Sequence, residues 1–507
     1  MLQKARVIAD RDFIVDTLDR RIFGAFIEHL GRCIYGGIYE PGHQTADEHG
    51  FRGDVLALTK ELGVTIMRWP GGNFVSGYNW RDGVGPKEDR PVRLDLAWFS
   101  KESNQFGTNE FITWCRKAGV EPMMAVNLGT AGAEEARQLV EYCNHPGGTE
   151  YSDLRIAHGY PEPHDIRFWC LGNETDGPWQ ICHKNAQEYG RAAQEAAKVM
   201  RWTSSGITLA ACGSSYREMP TYGAWEYEVL GLCFESVDFI SLHQYFHNRD
   251  GDIAKFFTHV DKLDNFITEV TAIADAVAAQ RRSRKRIMLS MDEWNVWYKA
   301  RTPADLAQPG WPTAPKLLEE IYNFEDALVV GGALITLINR ADRVKSACLA
   351  QLVNAIGAIR TETGGPAWRQ TIFHPFAQAS RLARGNVLRL VTECDVFSAG
   401  DYPSAPRLLA AAVHDPSSRR VSVFALNRST EPMALSVDLR GFAPLDIVES
   451  FELHHEDLKA ANTRDAPHTV CPRSHEDCTA SARGLEATLK PLSWNVFALE
   501  SRQASQA

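Results

Sequence analysis

The feature that most constrains the fold of this 507-residue chain is a regular alternation between short apolar runs and longer stretches with helical spacing. The runs are rich in β-branched and aromatic residues and have the length of buried strands. Eight such runs, separated by helical stretches, are typical of an α/β fold of the (β/α)8 TIM barrel type, whose parallel strands are buried on both faces. The predicted strands are residues 23–28, 64–68, 122–127, 166–174, 208–213, 239–243, 287–293 and 334–339.

The chain changes character after roughly residue 375. Segments such as 387–391, 421–426 and 494–499 alternate apolar and polar residues, and turn-forming clusters separate them. This pattern predicts a C-terminal antiparallel β-sandwich, jelly-roll-like in type. We therefore expect N-terminal strands at 1–17 that join the sandwich, a catalytic barrel at 18–375, the sandwich at 376–501 and a polar tail at 502–507.

The bulk properties narrow the class of partner. A formal net charge of −10 argues against nucleic acid or an anionic membrane. The N-terminus has no apolar stretch of the signal-peptide kind, and no run reaches the roughly 18 apolar residues of a membrane helix. The 11 cysteines are scattered and odd in number, as expected of reduced, buried thiols rather than a disulfide framework. A cytoplasmic protein is expected.

Polar side chains stand where the predicted strands end. In a barrel all eight strands end at one face, so these side chains are expected to converge on one pocket. Polar residues mark strand ends in any protein, but the repetition at nearly every strand favours a functional interpretation. The residues concerned are Glu28, Arg68, Asn127, Asn173, Glu174, His243, Asp292, Glu293 and Asn339.

Two of these residues suggest a specific chemistry. Glu174 and Glu293 end the predicted fourth and seventh strands, on opposite sides of the pocket mouth. Glycoside hydrolysis needs such a pair, one carboxyl to protonate the leaving oxygen and one carboxylate to attack or stabilise the anomeric carbon. Asn173, next to Glu174, is placed to hydrogen-bond a sugar 2-hydroxyl. The sequence therefore predicts a glycosidase.

Neighbouring residues fit supporting roles. Tyr245, two residues after His243, is expected to hold the strand-seven carboxylate, and the charge of Arg68 should lower the pKa of a nearby carboxylate. The Pro-Gly-Gly turn before Asn73 either brings backbone close to a ligand or is an ordinary turn, and spacing alone does not decide. No further ligand stands at metal-binding spacing from His243 and His247, and the double glycines at 36–37 and 331–332 lack a nucleotide fingerprint. No metal and no cofactor are expected.

Several motifs together carry a family resemblance. The segments 23–32, 68–74, 172–180, 292–298 and 492–496, in this order along nearly the whole chain, resemble glycoside hydrolase family 51. That family comprises intracellular α-L-arabinofuranosidases. The resemblance implies an exo-acting hydrolase that removes terminal non-reducing arabinofuranosyl residues from arabinoxylan- or arabinan-derived oligosaccharides. It also implies a homo-oligomer, often a hexamer.

The resemblance assigns roles residue by residue. Glu174 resembles the general acid/base and Glu293 the nucleophile of a retaining double displacement, with the carboxyls about 5 to 5.5 Å apart. The set that holds the terminal sugar is Glu28, Asn73, Asn173, Tyr245 and Gln351, and the supporting set is Arg68, His243, Trp179 and Trp297. Gln351 lies beyond the predicted eighth strand in a helix-like stretch, and spacing alone does not select it. Two departures from the family pattern, Thr175 and Trp69, bear on fine specificity.

Three alternatives stay open from the residues. An endo-glycanase acting on xylan or β-glucan would use the same barrel with an open cleft, whereas the loops at 78–90 and 299–315 look able to close one end. A catalytically dead sugar-binding protein would be expected to lack one carboxylate, and both are present. A metal-dependent barrel isomerase would need several metal ligands at strand ends, where His243 is the only histidine.

Overall fold

A closed barrel of eight parallel strands forms the centre of the molecule. The structure is a computed structural model that describes residues 2–298 and 310–501. Each strand pairs with its neighbours in sequence, and the eighth pairs in parallel with the first. The strands are β1 Gly24–Phe26, β2 Ile66–Trp69, β3 Glu121–Ala125, β4 Phe168–Leu171, β5 Thr208–Ala211, β6 Phe239–Phe246, β7 Met288–Val296 and β8 Val344–Ala350.

Helices surround the barrel and cover its outer face. Their N-termini use side-chain caps where the loops supply them; Asn185, for example, accepts from the Glu188 N–H at the start of a helix, and Asp252 caps the longest one. The helices are α1 Gly53–Leu62, α2 Thr108–Ala118, α3 Ala133–Asn144, α4 Glu150–Ala157, α5 Ala186–Thr203, α6 Ala224–Cys233, α7 Ile253–Gln280, α8 Phe324–Asn339 and α9 Phe373–Leu382.

The predicted eighth strand at 334–339 is wrong, because these residues are the last turns of α8. Asn323 caps that helix by accepting from the Asp326 N–H, and every residue from Phe324 to Ile338 is buried. A helix that is apolar on all sides gives no amphipathic signal, so its β-branched residues resemble a buried strand. The true eighth strand, β8, begins five residues after α8 ends.

A mixed, mostly antiparallel ten-stranded sheet forms the second part of the molecule. Its N-terminal strand pairs antiparallel with one neighbour and parallel with the other, so the first residues of the chain lie in the middle of the sheet. In spatial order the strands are Arg473–Ser474, Leu445–Leu453, Ser493–Ser501, Arg420–Asn427, Leu408–Asp415, Asn386–Cys394, Gln3–Thr17, Met433–Arg440, Gly484–Leu489 and Cys478–Ser481. The predicted fold class, a TIM barrel followed by a mostly antiparallel sheet domain, is confirmed.

Alternation along the sheet strands gives the sheet two apolar faces. On Arg420–Asn427, Val421 and Val423 join side chains from strands across the whole sheet in a separate core, whereas Phe424 and Leu426 belong to the core of the barrel. The sheet therefore encloses a core of its own and packs its other face on the barrel helices.

Two adjacent glycines in α8 allow this packing. A Cβ atom at Gly331 would lie 2.6 Å from Trp494 Cε3, and one at Gly332 would lie 3.1 Å from Leu426 Cδ2. The Gly331–Gly332 pair, which does not fit a phosphate-binding motif, thus has a structural use in the contact between helix and sheet.

The remaining sequence-based expectations concern the domain boundaries, the cysteines and membrane helices. The boundary predicted between residues 375 and 376 falls inside α9, and the next sheet strand begins at Asn386. The tail at 502–507 lies outside the described residues. All 11 cysteines are free thiols. Among the helices of the described residues, none combines the length and the apolar character that a membrane crossing needs.

Candidate active site

The carboxyl ends of the barrel strands open into a cavity of about 740 Å³. Side chains in or shortly after seven of the strands line it, including Ser215 and Tyr216 after β5, together with a short antiparallel hairpin formed by Arg93–Asp95 and Ser100–Glu102. The strand-end residues that reach the cavity are Phe26, Glu28, Asn73, Glu174, Tyr245, Glu293, Trp297 and Gln351. This is the face of a (β/α)8 barrel at which ligands bind.

Glu174 stands three residues after β4 and has a left-handed backbone conformation, with φ of 41°. Such a conformation is costly for a residue with a Cβ atom and is often found at functional sites. The carboxylate is held by two donors: Trp179 Nε1 donates to Oε2 at 2.7 Å, and His243 Nδ1 lies 2.9 Å from Oε1. Burial raises the pKa of Glu174, as does the charge of Glu293, although the contact with His243 opposes the shift.

Glu293 extends from β7 and is held in a different environment. Arg68 Nη1 donates to Oε1 at 2.7 Å, and the Tyr245 hydroxyl donates to Oε2 at 2.9 Å. Arg68 is 1% exposed and its other terminal nitrogen donates to Asn173 Oδ1 at 2.8 Å. These two hydrogen bonds, one of them from a charged guanidinium, fix the position of the Glu293 carboxylate in the pocket.

The two carboxylates meet across the pocket. One oxygen of Glu174, one oxygen of Glu293 and one nitrogen of His243 all lie within 4.8 Å of one another. These atoms are of a kind that binds metal ions, but both imidazole nitrogens already contact carboxylates, Nδ1 that of Glu174 and Nε2 that of Asp292. The arrangement suits acid and nucleophilic chemistry on a bond between the carboxyls.

Glu28 lies at the base of the pocket and accepts three hydrogen bonds. The Phe74 N–H and Trp98 Nε1 donate to Oε1 at 2.9 Å each, and Gln351 Nε2 donates to Oε2 at 3.1 Å. Burial raises the pKa of Glu28 to about 8, against the hydrogen bonds from Phe74 and Trp98. The turn before Asn73 must consist of glycine here, because a Cβ atom at Gly72 would lie 2.7 Å from Glu28 Oε2.

Amide groups supply further polar positions. Asn173 Nδ2 donates to Asn73 Oδ1 at 3.4 Å, which joins the loop after β2 to the end of β4. Within the described part of the chain, Gln351 Oε1 and Gln244 Oε1 are buried acceptors with no protein donor. Both residues line the cavity, so hydrogen-bonding capacity is left unused in its wall.

Aromatic rings form the outer part of the pocket. Trp179 and Tyr216 are stacked, with ring centres 6.0 Å apart and an interplanar angle of 17°, and are 43% and 39% exposed. Trp297 packs edge-on against Tyr245 at 5.0 Å. Exposed, flat rings beside a polar pocket are suited to contact with sugar faces.

The residues that the sequence predicts for the site lie together at the carboxyl end of the barrel, except for two of the predicted strand-end residues. Asn127 does not line the cavity; its amide donates to Tyr78 O at 2.9 Å and fixes a loop. The expectation that Asn339 faces the pocket is wrong, since it ends α8 and donates to Ala410 O of the sheet domain at 2.9 Å. Gln351, predicted to lie in a helix-like stretch, directly follows β8 and so occupies a strand-end position.

Sequence reasoning missed Trp98 and placed the pocket wall on other loops. Residues 96–99, at the tip of the hairpin, line the cavity, whereas no residue of the 78–90 loop does. Most of the second loop expected to close the site, residues 299–309, lies outside the described residues. Trp98 comes 29 residues after β2 ends, so no spacing rule linked it to a strand end.

Two family profiles match the chain. Residues 58–266 match the α-L-arabinofuranosidase 1 domain, and residues 292–493 match the α-L-arabinofuranosidase C-terminal domain. The second profile begins inside β7 and so includes the last barrel strands.

Individual relatives resemble the chain over almost its whole length. An intracellular exo-α-(1→5)-L-arabinofuranosidase 1 of Bacillus subtilis is 51% identical over 501 residues, 99% of this chain and 100% of the relative. An exo-α-(1→6)-L-arabinofuranosidase of Bifidobacterium longum is 47% identical and covers 97% of both chains. The solved structure of a family 51 α-L-arabinofuranosidase from Bifidobacterium longum superposes with a TM-score of 0.94 at 43% identity, covering 99% of this chain and 100% of that chain.

Proposed function

The chain belongs to glycoside hydrolase family 51, the α-L-arabinofuranosidases, and from this membership we propose that Glu174 and Glu293 perform a retaining double displacement on a terminal arabinofuranoside. The observation that carries the proposal is the distance between the two carboxylates, which have an oxygen each within 4.8 Å. Retaining enzymes hold their carboxyls about 5 to 5.5 Å apart, whereas inverting enzymes leave room for a water with about 6.5 to 9.5 Å.

In the first step the Glu293 carboxylate attacks the anomeric carbon while Glu174 gives its proton to the glycosidic oxygen. The bond from carbon to the leaving oxygen breaks, an ester to Glu293 forms, and the aglycone departs as a neutral alcohol. The raised pKa of Glu174 favours the protonated form that this step requires.

In the second step water replaces the Glu293 ester. Glu174, now a carboxylate, takes a proton from the water as its oxygen attacks the anomeric carbon, and the ester bond breaks to restore the Glu293 carboxylate. After the second step Glu293 is again a carboxylate and Glu174 again carries a proton, so the cycle can repeat. The sugar leaves as free arabinose with its original anomeric configuration.

Glu28, Asn73, Asn173, Tyr245 and Gln351 are proposed to hold the terminal sugar. Glu28 offers its carboxyl oxygens, and Gln351 an amide whose oxygen has no protein donor, for adjacent sugar hydroxyls. Arg68, His243, Trp179 and Trp297 surround the two catalytic carboxyls and support them.

The enzyme is an exo-acting α-L-arabinofuranosidase, and we propose that it removes α-(1→5)-linked residues from arabinan-derived oligosaccharides. The linkage rests on the name of the Bacillus subtilis relative; the Bifidobacterium longum relative is named for the (1→6) linkage. Both names specify exo action, which favours this activity over the endo-glycanase alternative. The first relative's name supports an intracellular place of action, and we propose a homo-oligomer on the family resemblance alone.

Hydrolysis of 4-nitrophenyl α-L-arabinofuranoside by the wild-type protein and by E293A tests the activity. The wild type should release nitrophenol and the variant should lose at least about 10⁴ in kcat. Release of single arabinose units from α-(1→5)-linked arabino-oligosaccharides, compared with (1→2), (1→3) and (1→6) isomers, tests the linkage. Equal turnover by both proteins would remove Glu293 from the mechanism, and longer products would favour endo action.

A further inference from the structure

Two consecutive residues of β7, Asp292 and Glu293, both point into the barrel. In a regular strand successive side chains point to opposite faces. Here Ser241 and His243 of β6 pair with Ser290 and Glu293, so β7 carries one more residue than β6 over this stretch. The same surplus occurs against β8, where Met291 and Trp294 pair with Ala347 and Leu349. This bulge gives β7 a second inward carboxylate beside the nucleophile.

Asp292 is 1% exposed and lies beneath the catalytic pair. Its Oδ1 is 3.1 Å from His243 Nε2, its Oδ2 is 3.6 Å from Arg68 Nε, and the Cys170 thiol donates to Oδ2 at 3.7 Å. Burial raises the pKa of Asp292, but the charge of Arg68 and the contact with His243 outweigh it and hold that pKa below its ordinary value. Asp292 is thus a buried anion with two cationic partners.

His243 has a carboxylate at each ring nitrogen. Besides the Nε2 contact with Asp292, its Nδ1 lies 2.9 Å from Glu174 Oε1 and 3.6 Å from Glu293 Oε2. Burial lowers the pKa of His243, but the charge of Glu293 and the bonds to Asp292 and Glu174 raise it well above its ordinary value. A ring that donates from both nitrogens is an imidazolium.

We propose that Asp292 is a positioning residue that keeps His243 an imidazolium between Glu174 and Glu293. The inference rests on the proposed function, because it concerns how negative charge moves during the double displacement. Before the first step Glu293 is ionised and Glu174 protonated; after it Glu293 is an ester and Glu174 is ionised. Nδ1 is close to both carboxylates, and closer to Glu174, so one fixed cation stabilises the charge that forms as the proton leaves Glu174.

Other charges around His243 do not replace Asp292. Glu174 and Asp176, after β4, and Glu293 are the remaining carboxylates, and each changes ionisation or is shared with other donors. Arg68, from β2, is a cation beside the same carboxylates and opposes protonation of the ring once Asp292 is neutral. Glu174 is protonated before the first step and Glu293 is an ester after it, so Asp292 is the partner of His243 that stays an anion through both steps.

The test is D292N, which keeps the shape of the side chain and removes its charge. With Asp292 neutral, one of the carboxylates that raise the pKa of His243 is lost, so that pKa should fall and the ring should lose its proton as pH rises. The first substrate is α-(1→5)-linked arabinobiose, whose leaving group, the second arabinose, is poor and needs acid catalysis. For this substrate we expect the loss in kcat/KM of D292N relative to the wild type to grow from under about tenfold at pH 5 to about 100-fold at pH 7. For 2,4-dinitrophenyl α-L-arabinofuranoside, whose leaving group needs no proton, the loss should stay under about tenfold throughout.

Three comparisons separate this role from a merely structural one. In an H243Q background D292N should add little further loss, because its partner is already gone. C170A removes the uncharged neighbour of Asp292 and should leave the pH profile unchanged. D292E keeps the charge, so any loss it causes should be the same at every pH, and it supplies the readout if D292N does not fold.

A D292N loss on arabinobiose that is constant from pH 5 to 7, or a D292E loss that grows with pH, would overturn the inference. A wild-type protein inactive on both substrates would instead overturn the proposed function. The two failures are thus distinct.

Discussion

At the scale of single residues, the account depends on two carboxyls with unlike surroundings. Glu293 accepts hydrogen bonds from Arg68 and Tyr245, whereas burial raises the pKa of Glu174 and favours its protonated form. A buried carboxyl with a raised pKa suits the role of a general acid, and a carboxylate held in place beside it suits the role of its partner. The division of labour between them leads to two predictions.

The first prediction concerns the leaving group. Glu174→Ala should cost about 10³-fold in kcat/KM for an alkyl or sugar aglycone and under about tenfold for a dinitrophenyl one, because the latter departs without a proton. Azide should restore turnover of the ester intermediate and yield an arabinosyl azide. Steady-state kinetics over a series of aryl arabinosides measures the trend, and equal losses for good and poor leaving groups would exclude Glu174 as the acid.

The second prediction concerns pH. The protonated form of Glu174 is the active acid, so kcat/KM should be high below its raised pKa and fall as pH rises through it. Trp179 donates to the Glu174 carboxylate and thereby lowers that pKa, so W179F should move the basic limb of the profile to higher pH by about one unit or less. W202F, at a ring that is 78% exposed on α5, is the control. A basic limb that stays in place or moves to lower pH in W179F would contradict the assignment.

At the scale of elements, the sequence revealed strands better than helices that are buried on every side. Seven of the eight barrel strands were predicted from apolar runs, and Glu28, Arg68, Glu174 and Glu293 from their positions at strand ends. The prediction of the eighth strand was wrong because α8 is apolar on all sides and resembles a buried strand. Since the true eighth strand was therefore not recognised, Gln351 was not identified as a residue at its end. Trp98 and the bulge in β7 depend on tertiary contacts, which leave no local pattern.

An element-scale prediction concerns the contact between α8 and the sheet. G331A places a methyl group against Trp494, so the cost of overpacking, about 1 to 3 kcal/mol, should exceed the gain in helix propensity of about 1 kcal/mol. The matched control is G231A in α6, where a Cβ atom would meet nothing within 4 Å. Denaturant unfolding should show a loss of stability for G331A and no loss, or a gain, for G231A; the reverse order would refute the packing argument.

At the scale of the whole molecule, the sheet domain packs on the barrel helices and, within the described residues, contributes no side chain to the site. The described side chains that line the cavity lie between Phe26 and Ile356, before the sheet strands that follow the barrel. The N-terminal strand lies in the middle of the sheet, between two strands from the C-terminal part of the chain. The sheet can therefore form only from both ends of the chain together.

A substitution in the core of the sheet should therefore lower the stability of the protein without changing its kcat. Val7 is fully buried in the core of the sheet, so V7A should lower the free energy of unfolding by about 2 kcal/mol. Phe13 is 65% exposed on the same strand, so F13A should lower it by less than about 0.5 kcal/mol. Thermal unfolding measures the difference. The kcat of folded V7A should match the wild type, and a reduced kcat would show that the sheet acts on the site.

The central claim is that Glu293 forms a covalent bond to the sugar and that Glu174 is needed to break it. The most direct measurement is intact-protein mass spectrometry of E174A mixed with 2,4-dinitrophenyl α-L-arabinofuranoside, followed by peptide mapping. The account predicts an increase by one pentosyl group, located on Glu293, that decays when azide is added. A protein that turns over this substrate without an adduct, or with an adduct on another residue, would contradict it.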